Sequence, residues 1–433
     1  MEPRRPNIIL IHCHDLGRWL PSYGLTGIHT PALDALAAAG IVFDNAFATA
    51  PLCTPARSSL FTGLLPHQNG LMGLAHAGWT YHDQVRTLPQ ELSEVGYRTA
   101  LIGLQHEDLD ARTLGYDEVH GLGFIPRALE VAKLFRAWVD SADTEQPFFA
   151  SVGVWEVHRP WPVEDYQPAD PADVDVPAYL PDNPHTREDI AEFYGAVAQL
   201  DDAIGQILSA LDASPHADET LVLFTTDHGA AFPRAKSTLY DSGTGVTLIA
   251  RPPAHWGITT SRAAEIVSHL DILPTCLELA GAAVPDGLEG RSFAPLLHDD
   301  ALPAAMEREL VMEKTFHDGY DPSRALRTRH HKYIQHYRDG KRLPLPIDLE
   351  QSRTRAGLGS WPNDPRPPHE LYLLDTDPDE LHNVADVPDN ADLVRHLQRR
   401  LNLHLHRTAD PVLDGDITAP EPPTTRRAPN PVR

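Results

Sequence analysis

The hydrophobic pattern of the chain begins almost at once. Asn7 to Cys13 (NIILIHC) is a nearly continuous apolar run, and polar HDLG follows directly. That is how a strand buried on both faces reads when it carries chemistry at its carboxyl end. Comparable runs recur at Thr99 to Gly103, Pro147 to Gly153 and Thr220 to Thr226. Between them lie helical patterns. Thr30 caps one that runs from Pro31 through Ala39 and stops at Gly40, and others cover Leu88 to Val95, Ala128 to Ser141 and Arg187 to Leu211. Alternation at this spacing predicts an α/β fold: a doubly wound, mostly parallel central sheet with helices on both faces, whose ligands gather beyond the carboxyl ends of the strands. HCHD, GLQH and TTDHG stand at three of those ends, and SVGVWEVHRP extends the fourth toward His158.

After about Pro303 the texture changes to short β-like pieces (ELVMEK, HKYIQHY, ELYLLD), a proline-rich insertion and a helix near Ala391 to His404. This predicts a catalytic domain over 1–302, a smaller C-terminal α+β subdomain over 303–408 and a disordered proline-rich tail over 409–433. The prolines of Trp161 to Pro184 and Pro344 to Pro368 read as loops. A chain of 433 residues with 42% hydrophobic content supports a large core. Its 36 basic against 61 acidic residues, net −25, repel nucleic acid and anionic lipid, so neither nucleic acid nor a membrane is expected as a partner. Cys13, Cys53 and Cys276 are too few and too far apart for a disulfide framework. The run Ile8 to Ile11 is too short for a signal-peptide core, and the expectation is a cytoplasmic protein.

Cys53-Thr54-Pro55-Ala56-Arg57 sits at a predicted helix start, where unpaired N–H groups favour an anion. The plain alternative for Cys53 is a small buried hydrophobe. The string does not stand alone. Together with HDLG, the PHQNG of Pro66 to Gly70, the VHRP of Val157 to Pro160, the TTDHG of Thr225 to Gly229 and the late ELYLLDTDPDELHNVAD, it resembles, in order and over most of residues 5–405, the sulfatases of the alkaline-phosphatase superfamily. LLPHQNGLMGL and AAFPRAKSTLYDSGT look closest to the sulfamidase (N-sulfoglucosamine sulfohydrolase) branch.

The resemblance implies an alkaline-phosphatase-like fold and hydrolysis of a sulfate ester or sulfamate on a small sugar, aryl or alkyl substrate. It implies that Cys53 is converted to formylglycine by a formylglycine-generating enzyme. It places one divalent cation, calcium in the family, among His14, Asp15, residue 53, Asp227 and His228, and gives catalytic roles to Cys53, Arg57, His106, His158 and Lys236. Two departures stand out. His14 occupies the place of the first of two family aspartates, and imidazole in place of carboxylate favours manganese or zinc over calcium. Leu104 stands where the family has a lysine, and leucine cannot neutralise a sulfate oxygen, so Arg159 or Arg234 is expected to supply the missing charge. Two other readings remain: a phosphonate monoester or phosphodiester hydrolase on the same site, and a non-catalytic sulfatase-like binding protein.

Overall fold

The computed structural model describes residues 5–121, 125–300 and 308–422. Its central sheet has eight strands: β1 (Asn7–Cys13), β2 (Ile41–Phe47), β3 (Arg98–Gly103), β4 (Glu118–His120), β5 (Phe148–Gly153), β6 (Thr220–Thr226), β7 (Leu248–Arg251) and β8 (Arg262–Ser268). The spatial order is β4-β3-β5-β1-β6-β7-β2-β8, with β7 alone antiparallel to its neighbours. All seven residues of β1 and of β6 are buried, which is why both read as unbroken apolar runs.

Alternate residues of these strands feed two cores. Ile9 and Ile11 of β1 and Val222 and Phe224 of β6 pack on one face with helices Pro31–Ala38, Ala128–Val139 and Pro184–Asp212. Ile8, Leu10, Leu221 and Leu223 pack on the other with helices Cys53–Thr62, Leu88–Glu94 and Ile272–Leu279. The doubly wound expectation is met. The long helix begins at Pro184, ahead of the predicted Arg187, because the Asn183 side chain accepts from the Thr186 N–H and Pro184 fits the first turn.

The second sheet is antiparallel, in the order β12-β11-β10-β9, built from β9 (Leu310–Phe316), β10 (Tyr320–Arg327), β11 (His331–His336) and β12 (His369–Leu373). Val311, Leu326, Tyr333 and Leu371 on one face meet Val394, Leu397, Leu401 and Leu405 of helix Ala391–Arg407. Met312, Ala325, Ile334 and Tyr372 on the other meet Phe47, Leu239 and Tyr240 of the main body. The smaller α+β unit is therefore seated on the large one along a full sheet face. The expected 302/303 boundary lies outside the described residues.

Three expectations need correction. Strands β2, β4, β7, β8 and β10 are not among the expected elements; β10 carries Asp321-Pro322 and two arginines, Arg324 and Arg327, buried here against carboxylates. The proline-rich stretch 344–368 contains two short helices, Ile347–Glu350 and Arg353–Gly357, and Thr354 donates to Asp189 of the long helix at 2.7 Å. The start of the expected loose tail is packed over 410–413, where Asp410 and Val412 are buried and Asp410 pairs with Arg324, while most of 414–422 is exposed. Residues 423–433 lie outside the described residues.

Candidate active site

Strand register assembles the site. Cys13 of β1 lies beside Thr226 of β6, so His14-Asp15 and Asp227-His228 emerge together. Gly103 of β3 lies beside Gly153 of β5, so Leu104 to His106 and Val154 to His158 emerge on the other side of β1. These two glycines are required by closeness: a Cβ at Gly103 would lie 2.3 Å from the Gly153 carbonyl, and one at Gly153 would lie 2.2 Å from the Leu104 carbonyl. Asp15 takes a left-handed φ of 52°, a strained value for a non-glycine residue, and its N–H donates to Asp227 Oδ1 at 2.9 Å.

Cys53 opens the helix Cys53–Thr62, whose cap residue Leu52 offers no side-chain hydrogen bond. Its Sγ is 3.5 Å from His228 Nε2, and the residue is only 3% exposed. Burial, reinforced by Asp227, pushes the thiol pKa up, so an unmodified Cys53 is no activated thiolate. One atom each from His14, Asp15, Cys53 and Asp227 lie within 4.8 Å of one another, all buried.

Arg57 reaches beneath this group. It donates to Asp227 Oδ2 at 3.1 Å and to the Cys13 carbonyl at 2.9 Å, and lies 2.6 Å from His12 Nδ1. No motif marks His12 as its partner. Burial and then Arg57 lower the His12 pKa, which leaves a neutral imidazole able to accept from Arg57. Burial alone would raise the Asp227 carboxyl, but His228 and Arg57 hold it well below the usual carboxylate range. Asp15 behaves alike, with Lys236 overcoming the cost of burial. Burial lowers His228, yet Asp227 and Asp15 together raise it well above its ordinary value.

Lys236 comes from the buried loop after β6 and donates to Asp15 Oδ2 at 2.7 Å and to Asp348 Oδ2 at 2.8 Å. Asp348, from the proline-rich insertion, is the residue the sequence reading missed outright; no local motif marks it. His158 Nε2 stands 3.4 Å from Lys236 Nζ, while Nδ1 meets the Arg159 carbonyl. Burial and then Lys236 keep His158 below the usual histidine value. One ring nitrogen of His106 lies within the same 4.8 Å of Cys53 and His14, and its Nδ1 is buried with no partner. Burial and the neighbouring His14 lower its pKa.

The charge expected to compensate Leu104 is not where it was sought. Leu104 is 5% exposed. Arg159 is held by both oxygens of Asp189 at 2.8 Å and by the Ala231 carbonyl. Arg234 donates to the Asp379 and Glu380 carbonyls and stacks over Tyr240. A buried carboxylate and a pair of carbonyls outcompete an anion that arrives only with substrate, so both arginines are structural.

The donor set fits a divalent cation. Asp15 Oδ1 and both His14 nitrogens are buried without a hydrogen bond of good geometry, although His14 Nδ1 lies 2.8 Å from Asp227 Oδ2 and Asp15 Oδ1 lies 3.1 Å from His228 Nε2. Buried polar atoms left so are what a missing ligand explains.

Comparison with known proteins agrees with this geometry. The Sulfatase family profile matches residues 6–282, and that of the N-sulphoglucosamine sulphohydrolase C-terminal region matches 232–354. Human N-sulphoglucosamine sulphohydrolase is 31% identical, over 94% of this chain and 91% of that protein. A solved structure in complex with its substrate D-glucosamine-2-N,6-O-disulfate superposes with a TM-score of 0.75 at 19% identity, covering 96% of this chain and 100% of the other. The phosphonate monoester hydrolase of Agrobacterium radiobacter superposes with a TM-score of 0.73 at 21% identity, over 95% of this chain and 97% of the other. Likeness at that level of identity speaks for the fold, and the profile and the human relative speak for descent: this chain belongs to the sulfatase family and is a sulfuric ester hydrolase.

Proposed function

We propose that the protein cleaves a sulfate ester or sulfamate on a small sugar, using residue 53 as nucleophile after a formylglycine-generating enzyme has oxidised Cys53. The observation that carries this reading is the convergence of Cys53 with Asp15, Asp227 and His14 at a helix start. As formylglycine hydrate, residue 53 supplies one hydroxyl to attack sulfur and a second that lets sulfate leave as the aldehyde re-forms. Asp15, Asp227, His228 and residue 53 would hold a divalent cation, with His14 at its edge, whose chemistry would be to lower the pKa of a hydroxyl on residue 53. Two imidazoles among the donors favour manganese or zinc over calcium.

The remaining work falls to fixed side chains. Arg57 pins Asp227 from below and keeps it ionised. Lys236 is held by Asp15 and Asp348 beside the metal donors, and its ammonium, which carries a third proton and can pivot where the Arg159 fork on Asp189 cannot, would meet a sulfate oxygen. Neutral His158 presents Nε2 to the same space, where it exchanges a proton with the leaving group. Neutral His106, with an unpartnered Nδ1, accepts a proton from residue 53. A single lysine suits a monoanionic sulfate or sulfamate better than a dianionic phosphoryl group.

The mass of the tryptic peptide bearing Cys53, taken together with rates on an N-sulfated sugar, an aryl sulfate and an aryl phosphonate, tests this. A peptide carrying formylglycine and turnover of the sulfated compounds is expected. Turnover by the unmodified thiol, or preference for the phosphonate, overturns it.

A further inference from the structure

The donors around Cys53 divide into two chemical halves. On one side stand Asp15 and Asp227, whose oxygens are largely taken: Asp227 Oδ1 accepts two backbone N–H groups at 2.9 Å, and Lys236 and Arg57 occupy one oxygen of each residue. On the other side stand Cys53 Sγ, His14 and His106, one atom from each within 4.8 Å of the others. That second half is chemically unsatisfied. His14 is 0% exposed, with Nδ1 facing Asp227 Oδ2 at 2.8 Å and Nε2 without a partner, His106 Nδ1 has no partner, and Cys53 Sγ has only His228 Nε2 at 3.5 Å. A buried polar group left without a partner is costly, and several such groups converging on one spot call for a ligand.

We infer that the unmodified thiol form of the chain holds a thiophilic transition-metal ion, zinc foremost, between Cys53 Sγ, His14 and His106. Zinc takes thiolate and imidazole at about 2.3 Å and about 2.0–2.1 Å, so its donors sit roughly 3.3–3.8 Å apart. The three donor atoms lie within 4.8 Å of one another, so binding would draw them together to that spacing. Asp227 Oδ2, 2.8 Å from His14 Nδ1, favours the proton on that nitrogen and leaves Nε2 as the ligand atom. On binding, the thiol releases its proton to solvent and the ion holds the thiolate, which offsets the burial that otherwise keeps the thiol protonated. Calcium has no affinity for such donors, so the thiol form and an oxygen-ligated mature form differ in the ion they prefer.

The experiment uses full-length chain produced without a formylglycine-generating enzyme, stripped with chelator and reloaded. One zinc per chain by elemental analysis is expected, and cobalt(II) in its place should give the intense near-ultraviolet thiolate charge-transfer band. Zinc should slow alkylation of Cys53 by iodoacetamide at least tenfold, read on the Cys53 peptide. Cys53→Ser, checked for an unchanged far-ultraviolet spectrum, should lose the band, and His106→Ala should weaken zinc by about 100-fold or more. Cobalt bound without the band, Cys53 alkylated at the metal-free rate under saturating zinc, or zinc affinity unchanged in Cys53→Ser each overturns the inference. None of these outcomes bears on the formylglycine reading, which the peptide mass tests separately.

Discussion

Two buried clusters in this molecule use nearly the same residue types and come to opposite ends. At the rim of the central sheet, His14, Asp15, Asp227 and Arg57 surround Cys53 and leave Arg57 Nε, His14 Nε2 and the nearby His106 Nδ1 without a partner, while His14 Nδ1 and Asp15 Oδ1 have only an imperfectly aligned neighbour each, Asp227 Oδ2 at 2.8 Å and His228 Nε2 at 3.1 Å. At the seam between the two sheets, His67, Glu313 and Asp410 also place donor atoms within 4.8 Å of one another, and Arg324 joins them. There almost everything is spoken for. The His67 N–H and Nδ1 both meet Glu313, Arg324 grips Asp410 at 2.6 and 2.8 Å, and its remaining Nη1 serves the Lys314 and Ser323 carbonyls and Thr315 Oγ1. A carboxylate–histidine–arginine group marks a binding site only when its polar atoms are left wanting; when saturated, it is a fastener.

The sharpest way to break that contrast is to remove one member of each cluster. Cys53→Ala should abolish sulfate release, by at least about 10⁴-fold in kcat, with an unchanged urea midpoint. Sulfate release near the wild-type rate would sink the mechanism. Asp410→Ala should do the reverse: it strands Arg324 in the core and should cost about 3–5 kcal/mol of stability by urea unfolding, with turnover per folded molecule kept. Loss of activity without loss of stability would mean the seam is a site after all.

Lys236→Ala probes the open side of the active site. With Leu104 uncharged and Arg159 and Arg234 committed to structure, Lys236 should carry the anion alone, and its removal should cost about 3 kcal/mol in kcat/KM, roughly a hundredfold. A nearly silent variant would show that the anion sits elsewhere. The smallest effect belongs to His67. Burial lowers its pKa, but Glu313 more than reverses this, so the folded-state value is raised. Its contribution to stability is therefore complete below the unfolded value of about 6.5 and fades as pH rises through the folded one. His67→Gln should flatten the urea midpoint across that window, and an unaltered pH profile would show that His67 does not titrate there.

Much of this was legible beforehand because it is local. β1 and β6 announce themselves as apolar runs since both of their faces are buried, and their polar ends mark the rim where ligands gather. Cys53 and Arg57 share one helix, so their pairing with Asp227 could be sought from one string. Asp348 could not be found so: it meets Lys236 across 112 residues, from a segment whose prolines read only as loop. Strand β10 was hidden because its arginines, polar in sequence, are buried by pairing with Asp410 and Asp241. Arg159 looked free, and Asp189 had already claimed it.

By itself the sequence determined the layered α/β core and the order of the motifs along it, and singled out Cys53 as the candidate nucleophile precursor, because hydrophobic period and helix starts are properties of neighbouring residues. Only the tertiary structure decided which charges remain available. An arginine or histidine becomes a fastener or a ligand according to the carboxylate that reaches it first, and that depends on pairings between residues far apart in the chain.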